Sequence, residues 1–323
     1  MMKRILPLLI LFTPLFSIGQ FTAIPDAYFE QALIDLGYDT GTPDGQVLTA
    51  NISGVTTLDV SSDSIGDLTG IEAFTALSYL NCGYNLLTSL DLTQNTALTS
   101  LGCHSNQLTS LDVTQNTALI YLSCIGNQLT SLDVTQNTAL TDLGCRSNQL
   151  TSLDVTQNTA LIYLSCQGNQ LTSLDVTQNT ALTDLYCHDN QLTSLDVTQN
   201  SALTLLVCQG NQLNCLNIKN GNNAALSTFY ASGNFSLTCI EVDDVAYAIA
   251  NWTVSGSNID AGVTFSTNCN NACSSVGITE YSNQPRKLIR ILDLLGRETT
   301  FKPNTPLIYQ YDDGSVEKVI REY

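Results

Sequence analysis

Between Leu77 and Ala202 the apolar and polar positions recur every 21 residues. One unit, Leu140 to Ala160, reads LTDLGCRSNQLTSLDVTQNTA, with the skeleton LxxLxCxxNxLxxLxVxxNxA. Leu143 and Cys145 alternate with small or polar neighbours, and Leu153 and Val155 do the same. Alternation with a period of two predicts a strand buried on one face. The Asn after each strand is suited to turning the chain and satisfying backbone groups at the corner. A 21-residue unit cannot bury both apolar rows alone, but stacked units can, each strand pairing in parallel with its equivalent in the next coil. Both halves of the unit look strand-like and no position shows a helical period, so two facing parallel sheets are expected.

The skeleton contains LxxLxLxxNxL with Cys in the third apolar slot, and it nearly repeats within the unit as LxxLxCxxN and LxxLxVxxN. It resembles the short bacterial leucine-rich repeats of nested periodicity, the Irreko type. Six near-regular units run from Leu77 to Ala202. The preceding 22-residue unit, with Val55, Leu58, Val60, Ile65, Leu68, Ile71 and Phe74, resembles an internalin-type repeat. Two degenerate units follow at 203–225 and 226–244. The expected fold class is all-β, a leucine-rich-repeat parallel β-solenoid of about nine coils, roughly 40 Å long at the usual strand spacing.

The ends need covers. Pro25 to Leu36 (PDAYFEQALIDL) puts Phe29, Ala32, Leu33 and Leu36 on one helical face, which predicts a short N-terminal cap helix. Asp243 to Trp252 and the strand-like Gly262 to Phe265 are expected to close the other end. Before the solenoid, Met1-Met2-Lys3-Arg4, an apolar run from Ile5 to Phe16 and Ser17-Ile18-Gly19 have the layout of a secretory signal peptide. After it, Lys287 to Leu294 reads as a strand, and Leu307 to Tyr311 with Val316 to Ile320 as a hairpin around Asp313-Gly314. This tail, with its LLGRE stretch (Leu294 to Glu298), resembles the C-terminal sorting domains of the Bacteroidota type IX secretion route. The resemblance implies recognition by that secretion machinery and release outside the cell or attachment to its surface. The organisation read from the sequence is signal peptide 1–19, N-terminal cap 20–54, solenoid 55–244, C-terminal cap 245–273, linker 274–284 and sorting module 285–323.

Charge divides the chain in the same way. Residues 20–285 hold 23 acids and two bases, Arg146 and Lys219, a net of −21, whereas 286–323 hold seven bases and six acids, a net of +1. An acidic solenoid argues against nucleic acid or an anionic membrane as partner, and no membrane insertion is expected once the signal is cleaved.

The cysteines form two populations. Cys82, Cys103, Cys124, Cys145, Cys166, Cys187 and Cys208 stand at the repeat period in the inward slot, where side chains point in parallel; a ladder of buried thiols acting as small hydrophobes is expected. Cys215, Cys239, Cys269 and Cys273 break the period. Equivalent positions in adjacent coils favour Cys215–Cys239 with Cys269–Cys273, and Cys239–Cys269 is the rival; a zinc site is the other reading.

Candidate chemistry lies where the repeats differ. The half LTSLDVTQNTA barely changes, while the half around LxxLxCxxN varies on its outward side. There stand Tyr79, Tyr84, His104, Tyr121, Asp142, Arg146, Tyr163, Gln167, Asp184, Tyr186, His188, Asp189 and Gln209, groups suited to protein recognition on a rigid surface. The constant half carries a row of acids, Asp91, Asp112, Asp133, Asp154, Asp175 and Asp196, weak candidates for calcium; Asp39 and Asp44-Gly45 form a still weaker calcium-loop pattern. Enzymatic motifs are absent, and His104 and His188 are four coils apart, about 19 Å, too far to share a metal or a proton. The sequence therefore points to an exported, non-catalytic protein without cofactor that binds extracellular protein or glycan through the variable half. The alternative is a surface or matrix component whose Asp, Ser and Thr ladders bind calcium or a regular lattice.

Overall fold

The computed structural model describes residues 19–269 together with Leu288–Leu292, 298–300, Leu307–Tyr311 and Val316–Val319. The signal-peptide reading of 1–19 lies almost wholly outside the described residues, as do the linker and the LLGRE stretch up to Glu298. Two compact units divide at Ser275 and Val276.

The first unit is a parallel β-solenoid of about ten turns with few helices. Nine three-residue strands form one continuous parallel sheet from Thr57–Asp59 to Thr228–Tyr230. Its register is strict: Leu80, Leu101, Leu122, Leu143, Leu164 and Leu185 are paired neighbours, all fully buried. Their flanking residues therefore all face outward on one surface. Each inward leucine contributes about 1.5–3 kcal/mol by leaving water, which a single coil could not obtain.

The second predicted sheet is only partly present. Four strands, Ser194–Asp196, Cys215–Asn217, Cys239–Glu241 and Thr264–Ser266, pair in parallel at the C-terminal end. In the regular coils before them the second half keeps its alternation, with Val113 and Val134 fully buried, but forms no strand ladder. The Asp row accounts for the difference. Identical acids in register would lie directly opposite one another, which is destabilising, and Asp112 does feel both Asp91 and Asp133. Where the ladder forms, the row has ended: Asp196 faces Asn217, Asn217 faces Glu241, and Glu241 faces Ser266.

Two columns of buried Asn bind coil to coil. In the variable half, Asn148 Nδ2 donates to the carbonyls of Cys124 and Cys145, and its Oδ1 accepts from Leu129 N, all at 3.0 Å. In the constant half, Asn158 Nδ2 donates to Val134 O at 2.9 Å and Asn137 O at 2.8 Å. The Oδ1 atoms of Asn95, Asn116, Asn137, Asn158, Asn179 and Asn200 are buried without a hydrogen-bond partner.

Helices form at both ends where the sequence placed them, with Phe29, Ala32 and Leu33 buried as expected, but Leu36 caps the first helix and is exposed, because the helix ends at Asp35. The helix Ala27–Asp35 starts at Asp26, whose Oδ1 accepts from Tyr28 N and Phe29 N. Its Oδ2 accepts from Gly66 N and Asp67 N, tying the helix to the first coil. Glu30, 1% exposed, accepts from the amides of Asp44 and Gly45; the calcium-loop pattern is thus closed by a carboxylate from the helix. An antiparallel pair, Phe21–Ala23 with Gln46–Leu48, was not foreseen. At the far end the helix Val245–Asn251 is followed by Trp252, which packs on Phe229, Tyr247 and Phe265.

The disulfide pairing corrects the sequence preference. Cys239 bonds Cys269, with Cα atoms 5.8 Å apart, so neither Cys215–Cys239 nor Cys269–Cys273 forms. Leu216 pairs with Ile240, so Cys215 and Cys239 are parallel neighbours like the inner thiols, a geometry poorly matched to a disulfide. Cys269 instead returns past the last strand, its N–H donating to Glu241 Oε1. Cys215 is also disulfide-bonded, and Cys273 lies outside the described residues. The seven periodic cysteines are free and fully buried.

The second unit contains Leu288–Leu292, Leu307–Tyr311 and Val316–Val319 in one antiparallel three-stranded sheet, a strand followed by a hairpin as read from the sequence.

Candidate recognition face

The continuous sheet carries the variable columns. One outward row reads Tyr79, Ser100, Tyr121, Asp142, Tyr163, Asp184, Leu205, each paired with the next. Tyrosine thus returns on every second strand, about 9.6 Å apart at the usual spacing. A second outward row, two residues on, reads Asp59, Asn81, Gly102, Ser123, Gly144, Ser165, Tyr186. Beyond it the chain turns through a column with positive φ that includes Tyr84, Ser105, Gly126, Ser147, Gly168 and Asp189. This turn lifts the exposed Tyr84 beside the sheet.

The predicted residues gather into two clusters. In the first, a cleft of about 400 Å³ is lined by Tyr79, Asn81, Ser100, Gly102, His104 and Tyr121. The two tyrosines form its walls, and Ser100 with Gly102 forms the floor between them. The His104 ring meets Tyr84 edge-on at 4.9 Å and lies over Gly83. Asn81 and Gly102 were not singled out in the sequence, and Ser100 entered only as a member of its column; the signal for Ser100 is that a small residue stands between Tyr79 and Tyr121.

The second cluster joins Tyr163, Asp184, Tyr186, His188 and Asp189. Tyr186 packs on Tyr163 at 5.7 Å and on His188 at 6.5 Å. Burial, with Tyr163 and Asp184 adding to it, raises the Tyr186 phenol above its usual range. Burial lowers the His188 pKa against the pull of Asp189, 3.8 Å away, and Arg146 lowers it further. The His188 Nδ1 is buried without a partner. Arg146 itself is exposed. Gln167 accepts from Ser165 at 2.8 Å, and Gln209 is half-buried at the far end of the same column.

The Asp row has different chemistry. Asp91 Oδ1 accepts from Thr93 N at 2.9 Å and from its hydroxyl at 2.7 Å, and the pattern repeats at Asp112, Asp133, Asp154 and Asp175; Asp196 keeps the amide bond to Thr198. These bonds hold Asp91, Asp112 and Asp133 below the usual carboxylate range. Among the described residues no three His, Cys, Asp or Glu side chains converge as a metal site would require. Also among them, no helix is long and apolar enough to cross a membrane.

No protein-family model matches the chain. Internalin J of Listeria monocytogenes is 55% identical over 42 residues, 13% of this chain and 5% of that protein. The solved functional domain of InlJ from Listeria monocytogenes, which includes a cysteine ladder, is 35% identical with a TM-score of 0.56, over 70% of this chain and 58% of that one. Internalin C2 from the same species, at 22% identity and TM-score 0.55, shares the fold over 77% of this chain and 99% of its own. This chain thus spans a small part of internalin J and just over half of the solved InlJ domain. The solenoid is similar to the leucine-rich-repeat domains of the internalins in fold and, over the part aligned with InlJ, in sequence.

Proposed function

We propose that this chain is an exported, non-catalytic recognition protein that binds protein ligands outside the cell through the variable face of its solenoid. One observation carries the reading: the Tyr, His, Arg and Asp that vary from coil to coil lie along a single hydrogen-bonded sheet that carries a 400 Å³ cleft, while the other half of each coil repeats almost unchanged. Leucine-rich-repeat domains generally mediate protein binding, and aromatic and Arg side chains on a rigid sheet supply anchors for it. Export follows from the signal-like N-terminus and the type IX-like tail, which together support a secreted or cell-surface location. The test compares capture of extracellular proteins by the purified full chain and by variants. The triple change Tyr121→Ala, Tyr163→Ala, Arg146→Ala abolishes capture if this face is the interface, and Asp112→Asn with Asp133→Asn leaves it unchanged. The reverse pattern assigns binding to the constant half and overturns the reading.

A further inference from the structure

We infer that the cleft between Tyr79 and Tyr121 is a slot for an arginine side chain presented by a basic segment of the partner protein. The inference rests on the variable face being the binding face and names what enters it. The two tyrosines stand two strands apart, about 9.6 Å. With contact layers of about 3.5–4.0 Å on each side, that interval admits one planar group and excludes two. Ser100 and Gly102 keep the floor low enough for the group to enter. In the next interval, between Tyr121 and Tyr163, Asp142 replaces the serine, and the apolar Ile125 Cδ1 lies 3.1 Å from where a Cβ of Gly144 would stand, where the first interval has Asn81 Oδ1 beside Gly102.

Charge selects the occupant. No Lys or Arg occurs between residues 20 and 145, and the first base, Arg146, in the coil after Tyr121, does not line the cleft. An acid flanks each wall on the same face: Asp142 is paired with Tyr121, and Asp59 Oδ2 accepts from Asn81 Nδ2 at 3.2 Å beside Tyr79. A guanidinium between two tyrosine faces gains cation–π attraction from both, and its planar shape suits the interval better than an ammonium. A sugar ring also stacks on tyrosine and can donate hydroxyl hydrogen bonds to a carboxylate, but being neutral it depends far less on the negative charge than a guanidinium does.

The experiment titrates the full chain into a fluorescently labelled hexa-arginine peptide at physiological salt, with a neutral β-linked oligosaccharide in parallel. Tyr79→Ala and Tyr121→Ala each weaken peptide binding about tenfold, and Tyr79→Phe retains it. Asp59→Asn with Asp142→Asn weakens it as well, whereas Asp112→Asn with Asp133→Asn, on the other half of the coil, changes it less than about twofold. Peptide affinity indifferent to both tyrosines overturns the assignment. So does oligosaccharide binding that needs the tyrosines and survives Asp59→Asn with Asp142→Asn. If either occurs while protein capture still depends on Tyr121, Tyr163 and Arg146, the face remains the interface and only the slot's occupant is wrong.

Discussion

His104 occupies the space that a side chain at position 83 would need. A Cβ built on Gly83 would sit 2.5 Å from Cε1 of the imidazole, in the next coil. Glycine here lets the ring lie flat against the sheet and meet Tyr84 edge-on. Gly83→Ala is expected to displace the ring outward and deform the cleft, with little loss of stability, because the obstructing atoms end a mobile side chain. Imidazole NMR shifts of His104 will move, and the melting temperature will change by less than about 4 °C.

The two Asn columns differ in what their loss exposes. Asn148→Ala leaves the Leu129 amide without its partner, while the carbonyls that Asn158 bonds also accept from Asn137 N and Leu140 N, so Asn158→Ala strands neither and removes a buried, unpartnered oxygen. With about 1–3 kcal/mol for each stranded buried group, Asn148→Ala is expected to be the costlier change by about 1 kcal/mol or more. Urea denaturation of the two variants measures the order; equal midpoints contradict it.

The inner thiols are expected to be inert in the native protein. Burial pushes Cys124 and Cys166 up to about 12. A thiol with a raised pKa stays protonated through neutral and mildly alkaline pH, so raising the pH from 7 to 9 will not speed alkylation. In denaturant the seven ladder thiols will react without reductant. Mass spectrometry after iodoacetamide labelling reads both states.

Asp26 links cap stability to acid. Burial raises its pKa, but the amides of Gly66, Phe29, Asp67 and Tyr28 together hold it below the ordinary 3.8. A depressed folded-state pKa gives stabilisation that is full above the unfolded value and is lost as pH falls through the folded one. The cap is therefore expected to loosen below about pH 3.8, seen as faster hydrogen exchange in Ala27–Asp35. Asp26→Ala removes this pH dependence and costs about 0.5–2 kcal/mol at neutral pH.

Cys239 and Cys269 close a loop of 30 residues. Chain-entropy reasoning puts the stabilisation at about 3–4 kcal/mol. Replacing both by Ala is expected to fray the last turns first, raising exchange at Thr264–Ser266 before the regular coils. Uniform acceleration along the solenoid would contradict local stapling.

Much of this was legible beforehand. The Leu143 and Cys145 columns recur in sequence because each coil must present the same two inward positions to its neighbours, so periodicity alone fixes the stack, its register and the buried thiols. The tail strands were readable for a similar reason, as apolar runs on either side of Asp313-Gly314. The extent of the second sheet was not. Alternation of Leu153 and Val155 reports which side is buried, not whether the backbone of one coil bonds the next, and the Asp row opposes that bonding until Asp196 meets Asn217.

The sequence by itself determined the repeat, the inward and outward positions and the surface on which variation is permitted, because all three follow from side-chain period and local turn chemistry. The tertiary structure decided how residues 21 or more positions apart meet: Tyr79 with Tyr121 across a floor of Ser100 and Gly102, His104 over Gly83, Asp26 on Gly66, and Cys239 with Cys269. Those meetings depend on strand spacing and on the path the chain takes back to a neighbouring coil, quantities set by the packing of the whole stack and by no single segment of it.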